Sequence, residues 1–270
     1  MWTPAGGVSG EKESRGRMVG VYFSGTGNSR HVLEVFLKAY DEESKSFSIE
    51  DDGVFAAVKE QEELAFAYPV QYSTVPKILS DFICENKELW DGKRVFVIAT
   101  MGLFSGDGAG AMARLLQIYG AEVLGGVHIK MPDSIGDEKV LKRSLEKNKE
   151  LVKRGEEKVR KAVIRLKDGK PTKEGLGPFS RMLGFFGQRL YFGNKTKIYS
   201  DKLKIDTDKC VGCGKCVTLC PMKNIMIKDG ICVSEDRCTM CYRCVNTCPK
   251  QAITLLGKEV VEQSIIEKYL

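Results

Sequence analysis

Five apolar runs of strand length alternate along the chain with segments whose apolar residues recur at helical spacing. The predicted strands are Met18–Tyr22, Lys45–Ile49, Glu63–Tyr68, Arg94–Thr100 and Glu122–Ile129. The predicted helices are Asn28–Tyr40, Pro76–Asn86, Ala109–Tyr119 and Glu138–Leu166, and Gly155 is expected to interrupt the last of them. Parallel neighbouring strands need crossover connections, so this alternation predicts a doubly wound α/β domain with a parallel sheet and helices on both faces.

Three loops follow the predicted ends of strands in this domain: Ser24–Ser29, Pro69–Val75 and Met101–Gly108. Ligands of open α/β sheets bind beyond the carboxyl ends of the strands, at the point where the strand order reverses. We therefore expect all three loops to line one site.

The remainder of the chain divides by composition. Residues 1–17 are rich in glycine and charge without periodicity, so they are interpreted as a disordered leader without function. The first domain is assigned to residues 18–166, and a second, smaller domain to residues 201–270. Residues 167–200 contain a linker, Lys167–Pro178, and the aromatic-rich stretch Phe179–Gly193. Packing between the domains, a membrane-surface helix and a partner-binding face all remain open for that stretch.

Charge and hydropathy change this picture little. The 270 residues include 42 basic and 36 acidic ones, and the basic excess lies in residues 131–200, with 18 basic and 9 acidic residues. We interpret this excess as a solvated helix face, so no nucleic-acid partner is expected. No apolar stretch is long enough to span a bilayer and no signal peptide is recognisable, so we expect a cytoplasmic protein without membrane association. A homodimer is left open.

Nine of the ten cysteines lie between Cys210 and Cys248, and eight of these form two copies of the run C-x2-C-x2-C-x3-C-P that are offset by 28 residues. The segment Lys202–Leu256 resembles the two-cluster bacterial ferredoxins throughout, including Pro221 and Pro249. This resemblance implies an α+β domain with two [4Fe-4S] clusters, because the fourth cysteine of each run ligates the other cluster in that family. One cluster is then assigned to Cys210, Cys213, Cys216 and Cys248, and the other to Cys238, Cys241, Cys244 and Cys220.

Zinc is the alternative to iron–sulfur clusters, since four thiolates also suit a tetrahedral zinc site. It is disfavoured because zinc modules bring together two separated C-x2-C pairs rather than two runs of three cysteines with a trailing C-P. Cys232 and Cys84 lie outside both runs, and we expect both to be buried as small apolar side chains. The two histidines are His31 and His128; His31 follows the first loop, but we expect it to be packed or solvated rather than bound to a ligand.

The first loop reads S-G-T-G-N-S over residues 24–29 and opens a predicted helix, where an anion is favoured. It has no lysine of a Walker A loop, and the third glycine of a dinucleotide fingerprint is replaced by Arg30. The loop resembles the phosphate loop of flavodoxins, [TS]-x-T-G-x-[TS]. That resemblance implies a flavodoxin-like sheet of order 2-1-3-4-5 and a bound FMN. The expected phosphate contacts are Ser24, Gly25, Thr26, Gly27, Asn28 and Ser29. The expected ring contacts are Pro69, Val70, Gln71, Tyr72, Thr100, Met101, Gly102, Phe104 and Gly108.

Together the two resemblances suggest a flavodoxin/ferredoxin fusion of the kind found in anaerobes. We expect electron transfer between FMN and two [4Fe-4S] clusters, with a redox protein as partner. The alternative is a flavin-dependent reductase or oxidase of a small substrate, wired through its clusters. The carrier is favoured because the ring-binding loops contain no converging acids, bases or cations, and no catalytic residue is assigned. Whether the protein is an enzyme stays open.

Overall fold

The computed structural model describes residues 17–104, 106–184, 186 and 202–270. The strands of the N-terminal part are β1 Met18–Tyr22, β2 Ser46–Ser48, β3 Glu63–Pro69, β4 Arg94–Met101 and β5 Glu122–Lys130. Its helices are α1 Asn28–Tyr40, α2 Val54–Glu60, α3 Lys77–Glu85, α4 Gly108–Ile118, α5 Leu145–Lys167 and α6 Pro178–Gly184. Short 3₁₀ helices span Lys87–Leu89 and Lys139–Leu141.

The five strands form one parallel sheet in the order β2-β1-β3-β4-β5. One face is covered by α1 and α5, and the other by α2, α3 and α4. On the first face, Phe36 is fully buried and stacks on Phe96 with ring centroids 5.1 Å apart. Burial of such a side chain contributes about 1.5–3 kcal/mol. The expected doubly wound sheet with the flavodoxin-like strand order is thus confirmed.

Two helices differ from expectation. Helix α2 was not predicted, because it buries only Val54 and Val58 and is too short for a periodic pattern to stand out. The helix predicted to begin at Glu138 begins at Leu145, because Ser144 caps it by accepting a hydrogen bond from the N–H of Lys147 at 3.3 Å.

Gly155 does not interrupt α5, contrary to expectation. A Cβ at this position would lie 3.1 Å from Ile129 and from the sulfur of Met131. The glycine therefore permits a close approach of the helix to β5, and the packing gained there outweighs its low helix propensity.

The segment interpreted as a linker pairs with the edge of the sheet. The N–H of Gly126 donates to the carbonyl of Thr172 at 2.8 Å, and the N–H of Glu174 donates back to the carbonyl of Gly126 at 3.0 Å. A Cβ at Gly125 would lie 2.6 Å from the Thr172 carbonyl oxygen, so the missing side chain admits this pairing. Most of the aromatic-rich stretch that follows, residues 185 and 187–193, lies outside the described residues.

The C-terminal part repeats itself in three dimensions. Its strands are β6 Lys204–Ile205, β7 Ile225–Lys228, β8 Ile231–Ser234 and β9 Ile253–Thr254, and its helices are α7 Lys215–Leu219 and α8 Arg243–Thr247. Antiparallel pairs join β6 to β9 and β7 to β8. The offset of 28 residues between the cysteine runs also relates α7 to α8.

Buried hydrogen bonds join the two parts. Asp137, which is 4% exposed, accepts the N–H groups of residues 255–257 at 2.6, 2.9 and 3.1 Å. Asn246 donates to the carbonyl of Ser134 at 2.8 Å and accepts the N–H of Ser264 at 2.7 Å. A final 3₁₀ helix, Ile266–Lys268, returns the chain to the sheet domain. The described parts of the chain contain no helix of the length and apolarity needed to cross a membrane.

Candidate functional site

A cavity of about 130 Å³ lies at the carboxyl edge of the sheet. It brings together the three loops that the sequence predicted, as the topology of a doubly wound sheet requires. Of the predicted FMN contacts, those that line it are Ser24, Gly25, Thr26, Asn28, Ser29, Pro69, Val70, Gln71, Tyr72, Thr100, Met101 and Gly102.

The loop after β1 presents hydroxyl and amide groups around the start of α1. Ser29 and Thr100 share a hydrogen bond of 2.7 Å between their hydroxyls, and the Thr100 hydroxyl donates to the carbonyl of Tyr68 at 3.2 Å. Asn28 donates to the carbonyl of Pro132 at 2.8 Å, while its buried Oδ1 has no hydrogen-bond partner among the described residues. This loop thus offers polar atoms to a ligand.

Helix α1 begins with features that favour an anion. The N-cap residue before it, Gly27, has a φ of 90°, no side chain caps the helix, and its first turn carries no acidic residue. Its N-terminal N–H groups and the positive end of its dipole favour negative charge. Gly27 itself packs against Ile266 rather than lining the cavity: an added Cβ would lie 3.1 Å from the Cβ of Ile266 and closer still to its Cγ2.

The loop after β3 is held by the cysteine-rich part. The side-chain amide of Gln71 donates to the carbonyls of Thr239 and Met240 at 2.9 and 3.2 Å. Tyr72 has a φ of 48°, and Met240 and Tyr242 across the cavity have φ values of 55° and 60°. Left-handed backbone at non-glycine residues is strained by about 1–3 kcal/mol each and is concentrated at functional sites.

Two predicted ring contacts do not line the cavity. Phe104 is 54% exposed, and Gly108 is buried where α4 begins, with the Tyr68 hydroxyl donating to its carbonyl. The preceding Asp107 is fully buried and bonds to Arg114 at 2.5 Å, which draws this end of the loop towards α4 and away from the site.

The loop after β5, residues 131–135, was not predicted to belong to the site, yet it lines the cavity and meets the first loop where Asn28 donates to Pro132. The signal was available, because this loop also leaves the carboxyl edge of the sheet. Burial raises the pKa of Asp133, whose Oδ1 accepts the N–H of Ile135 at 2.8 Å. A Cβ at Gly102 would lie 3.0 Å from the carboxyl carbon of Asp133, so the glycine makes room for this carboxyl group.

The eight cysteines of the repeated runs fall into two groups, each around its own small cavity. Cys210, Cys213, Cys216 and Cys248 line one of them, which Cys232 also lines, and Cys220, Cys238, Cys241 and Cys244 line the other. These are the two sets of four named from the sequence. We call them group I and group II, respectively.

Backbone N–H groups point at four of these sulfurs. The Sγ atoms of Cys220, Cys238 and Cys248 each accept an N–H at 3.3 Å, and that of Cys210 accepts one at 3.4 Å. Such bonds stabilise thiolate and tune the potential of a bound cluster. Burial raises the pKa of Cys241 to about 12 and raises that of Cys244 as well, so these thiolates need a compensating positive charge.

One cysteine of group II also lines the cavity at the carboxyl edge of the sheet, which we call the main cavity. Cys241 and its neighbour Tyr242 line both this cavity and the small cavity of group II, whereas Met240 lines only the former. A Cβ at Gly25 would lie 3.0 Å from the carbonyl carbon of Cys241 and closer still to its oxygen, so only a glycine allows the first loop to pack on this cysteine. The sequence does not reveal this contact between residues more than 200 positions apart.

The expectations for the other two cysteines and the two histidines were confirmed only in part. Cys232 is buried as expected and lies 3.5 Å from the sulfur of Cys216. Cys84 is exposed, so the expectation that it is buried was wrong; it ends a helix on the solvent side. His31 bonds to Glu156 at 2.8 Å, in agreement with a packed histidine. Burial lowers the pKa of His128, whose Nε2 accepts the N–H of Ala109 at 3.1 Å.

Comparisons with known proteins agree with this division. Residues 209–252 match a family model described as a 4Fe-4S dicluster domain. No curated protein matches the chain. Among solved structures, it is similar to the two-electron reduced flavodoxin of Megasphaera elsdenii, with 24% identity over 54% of this chain and 99% of that one, at a TM-score of 0.38.

Two further solved flavodoxins are comparably similar. Flavodoxin 2 from Bacillus cereus shares 20% identity over 57% of this chain and 99% of its own, at a TM-score of 0.41. The Fusobacterium nucleatum flavodoxin bound to flavin mononucleotide shares 14% identity over 56% and 97%, at a TM-score of 0.40. The strand order of the sheet is flavodoxin-like, and residues 209–252 are similar to 4Fe-4S dicluster domains. This combination supports a role in electron transfer and the binding of an iron–sulfur cluster.

Proposed function

We propose that the chain binds FMN in the main cavity and one [4Fe-4S] cluster at each cysteine group, and carries electrons between them for a partner protein. The observation that carries this proposal is that Cys241 belongs both to the cavity and to group II. A flavin accepts or gives one or two electrons, whereas each cluster exchanges single electrons. Adjacent sites allow pairs of electrons to be collected or divided within one chain.

The donor set around the first loop supports the phosphate end of FMN. The hydroxyl groups of Ser24, Thr26 and Ser29 line the cavity at the start of α1 and can donate hydrogen bonds to a phosphate. A lysine is not required, because the backbone N–H groups and the helix dipole already favour a phosphate.

The main cavity is small for a cofactor site, so the proposal requires its loops to move. Its volume of about 130 Å³ is below the ~300–1,000 Å³ typical of cofactor sites. The loops around it must therefore separate to admit the whole cofactor. The strained backbone of Tyr72, Met240 and Tyr242 marks the loops that we expect to move.

The cysteine groups support iron–sulfur clusters better than zinc. A zinc ion draws its ligands to within about 2.3 Å of a single centre. In the described part of the chain, no three cysteine, histidine or carboxylate side chains converge closely enough to hold one metal ion. A cube of iron and sulfide accepts thiolates that stand further apart, and each cysteine group encloses a cavity rather than a point.

The positions of the groups suggest a direction along the chain. Group II adjoins the cavity, whereas group I contains the exposed Cys213. Lys215 and Lys250 line the cavity of group I. We infer that a partner protein exchanges electrons with the cluster at group I, and that the cluster at group II relays them between group I and FMN.

A second candidate function is the reduction of a small molecule, and one observation favours it. A groove of about 630 Å³ adjoins group II and is lined by Lys77, Arg237 and Cys238. Thr239, 6% exposed, also lines the groove, and its hydroxyl has no partner within the described residues. A polar ligand bound there would lie beside a cluster ligand.

Anaerobic purification tests the proposal. We expect one FMN and about eight iron atoms per chain, since each [4Fe-4S] cluster holds four. Protein with intact clusters that neither contains nor binds FMN would contradict it. The reduced protein is then mixed with small acceptors, tested singly without partner protein. Reoxidation only by a partner protein supports the carrier, and turnover with a small acceptor supports the reductase.

A further inference from the structure

Arg243, which precedes Cys244 of group II, connects three segments. Its Nη2 donates to the carbonyl of Ser24 in the first loop at 2.9 Å, and its Nη1 donates to the carbonyl of Leu219 at 3.0 Å. Leu219 is the neighbour of Cys220, another member of group II. One guanidinium group therefore holds the loop proposed to bind phosphate and both segments that supply group II.

The guanidinium is itself held in place by a carboxylate. Glu50, between β2 and α2, accepts from Nη1 at 2.9 Å and from Nη2 at 2.8 Å. The Arg243 side chain is 18% exposed and that of Glu50 is 31% exposed. A two-pronged bond of this kind fixes the orientation of an arginine, and a lysine cannot reproduce it.

Two neighbouring contacts make the first loop depend on the C-terminal part. Gly25 packs on the carbonyl of Cys241, and the N–H of Ile266 donates to the carbonyl of Thr26 at 2.9 Å. Each contact uses a backbone atom of the loop, which leaves the hydroxyl groups of Ser24 and Thr26 for a ligand. The segment that carries group II thus supports the backbone of the first loop on the side away from the ligand.

We propose that Arg243 is a positioning residue that makes FMN binding and cluster assembly at group II mutually dependent. This inference rests on the proposed function. Binding at either site orders the loop that Arg243 shares with the other, and such coupling is reciprocal by linkage. Group I has no comparable bond to the first loop among the described residues, so its cluster is expected to be independent of FMN.

The test compares Arg243→Met with Arg237→Met in the full chain with both clusters loaded. Arg237 is a matched control for FMN binding only, because it also precedes a cysteine of group II and also donates to a backbone carbonyl, that of Lys223 at 3.1 Å, but lines the groove beside Cys238 and not the cavity proposed for FMN. Its ion-pair partner is Glu235, within the C-terminal part. FMN affinity is measured anaerobically by the quenching of flavin fluorescence.

We expect Arg243→Met to raise the Kd for FMN about 10- to 100-fold, as for the loss of hydrogen bonds to a charged group. Arg237→Met should change it by less than about threefold, as for an exposed ion pair. Arg243→Lys should be intermediate. Glu50→Gln, which leaves Arg243 present but less firmly held, should raise the Kd about 3- to 10-fold and serves if Arg243→Met does not fold.

The reciprocal measurement follows iron release to a chelator. In the wild type, added FMN should slow the loss of one of the two clusters and leave the other unchanged. In Arg243→Met this protection should disappear. Equal Kd values for Arg243→Met and Arg237→Met, or the same protection in Arg243→Met as in the wild type, would overturn the inference while leaving FMN binding intact. A wild-type protein that binds no FMN would instead overturn the proposed function.

Discussion

The contact between Gly25 and Cys241 can be tested by adding a single methyl group. In Gly25→Ala, the new Cβ would lie 3.0 Å from the carbonyl carbon of Cys241 and 3.4 Å from its Cα. Carbon atoms in contact prefer a separation of about 3.5–4.0 Å, so the two loops must part by at least about 0.5 Å. The carbonyl oxygen of Cys241 is nearer still to the new Cβ, so it requires a larger separation of the loops. No left-handed backbone is involved at Gly25, so the effect reports on packing alone.

Overpacking of this kind is unfavourable by about 1–3 kcal/mol. We expect that penalty to appear as a 5- to 150-fold higher Kd for FMN, at about 1.4 kcal/mol per tenfold. The assay is an anaerobic fluorescence titration of flavin-free protein that retains its clusters. Gly177→Ala is the control, since no described atom lies within 4 Å of its added Cβ. If Gly25→Ala binds FMN as tightly as Gly177→Ala, with equal iron content and thermal stability, then the first loop does not pack on Cys241.

Three further predictions concern stability and pH. Asp137→Ala leaves the N–H groups of residues 255–257 without their acceptor. Its thermal midpoint should fall by about 4–8 °C, which corresponds to a loss of at least about 2 kcal/mol in the free energy of unfolding, whereas Asp208→Ala, at an exposed position, should change the midpoint little. Burial lowers the pKa of His128, so the stability that its neutral form contributes is present above pH 6.5 and is lost as the pH falls through the folded-state pKa. The thermal midpoint of His128→Gln should therefore depend less on pH in that range than the midpoint of the wild type. Burial raises the pKa of Asp133, and its carboxylate, once ionised, adds negative charge to the lining of the cavity proposed for the anionic FMN. Asp133→Asn should therefore bind FMN roughly 3- to 10-fold tighter at pH 8, and equal affinities would refute that role.

The sheet was predictable because its central strands β1, β3 and β4 are buried on both faces. The predicted bounds of β4 differ from the observed ones by one residue, and α1 was predicted at both ends, because the apolar spacing and the glycine before Asn28 agree. Short elements without a long apolar repeat, such as α2, carry too little signal. Gly155 was misjudged because its value lies in a contact with β5 that helix propensity does not contain.

The candidate site was predictable to the extent that motifs and topology define it. The first three cysteines of each run, with the fourth taken from the other run as in the two-cluster ferredoxins, identify the cysteine groups, and the rule for parallel sheets brings three loops together. The contribution of residues 131–135 was missed because that loop carries no motif. The contacts of Arg243 with Ser24 and of Gly25 with Cys241 join residues far apart in sequence, and the packing of the two parts determines them.

The central claim is that FMN and the clusters exchange electrons within one chain. The most direct measurement is to reduce the clusters rapidly under anaerobic conditions and to follow the flavin absorbance over a wide range of protein concentration. We predict that the flavin is reduced with a rate constant independent of concentration, because group II and the cavity share Cys241. A rate that rises in proportion to concentration, or a bound flavin that stays oxidised beside reduced clusters, would contradict the account.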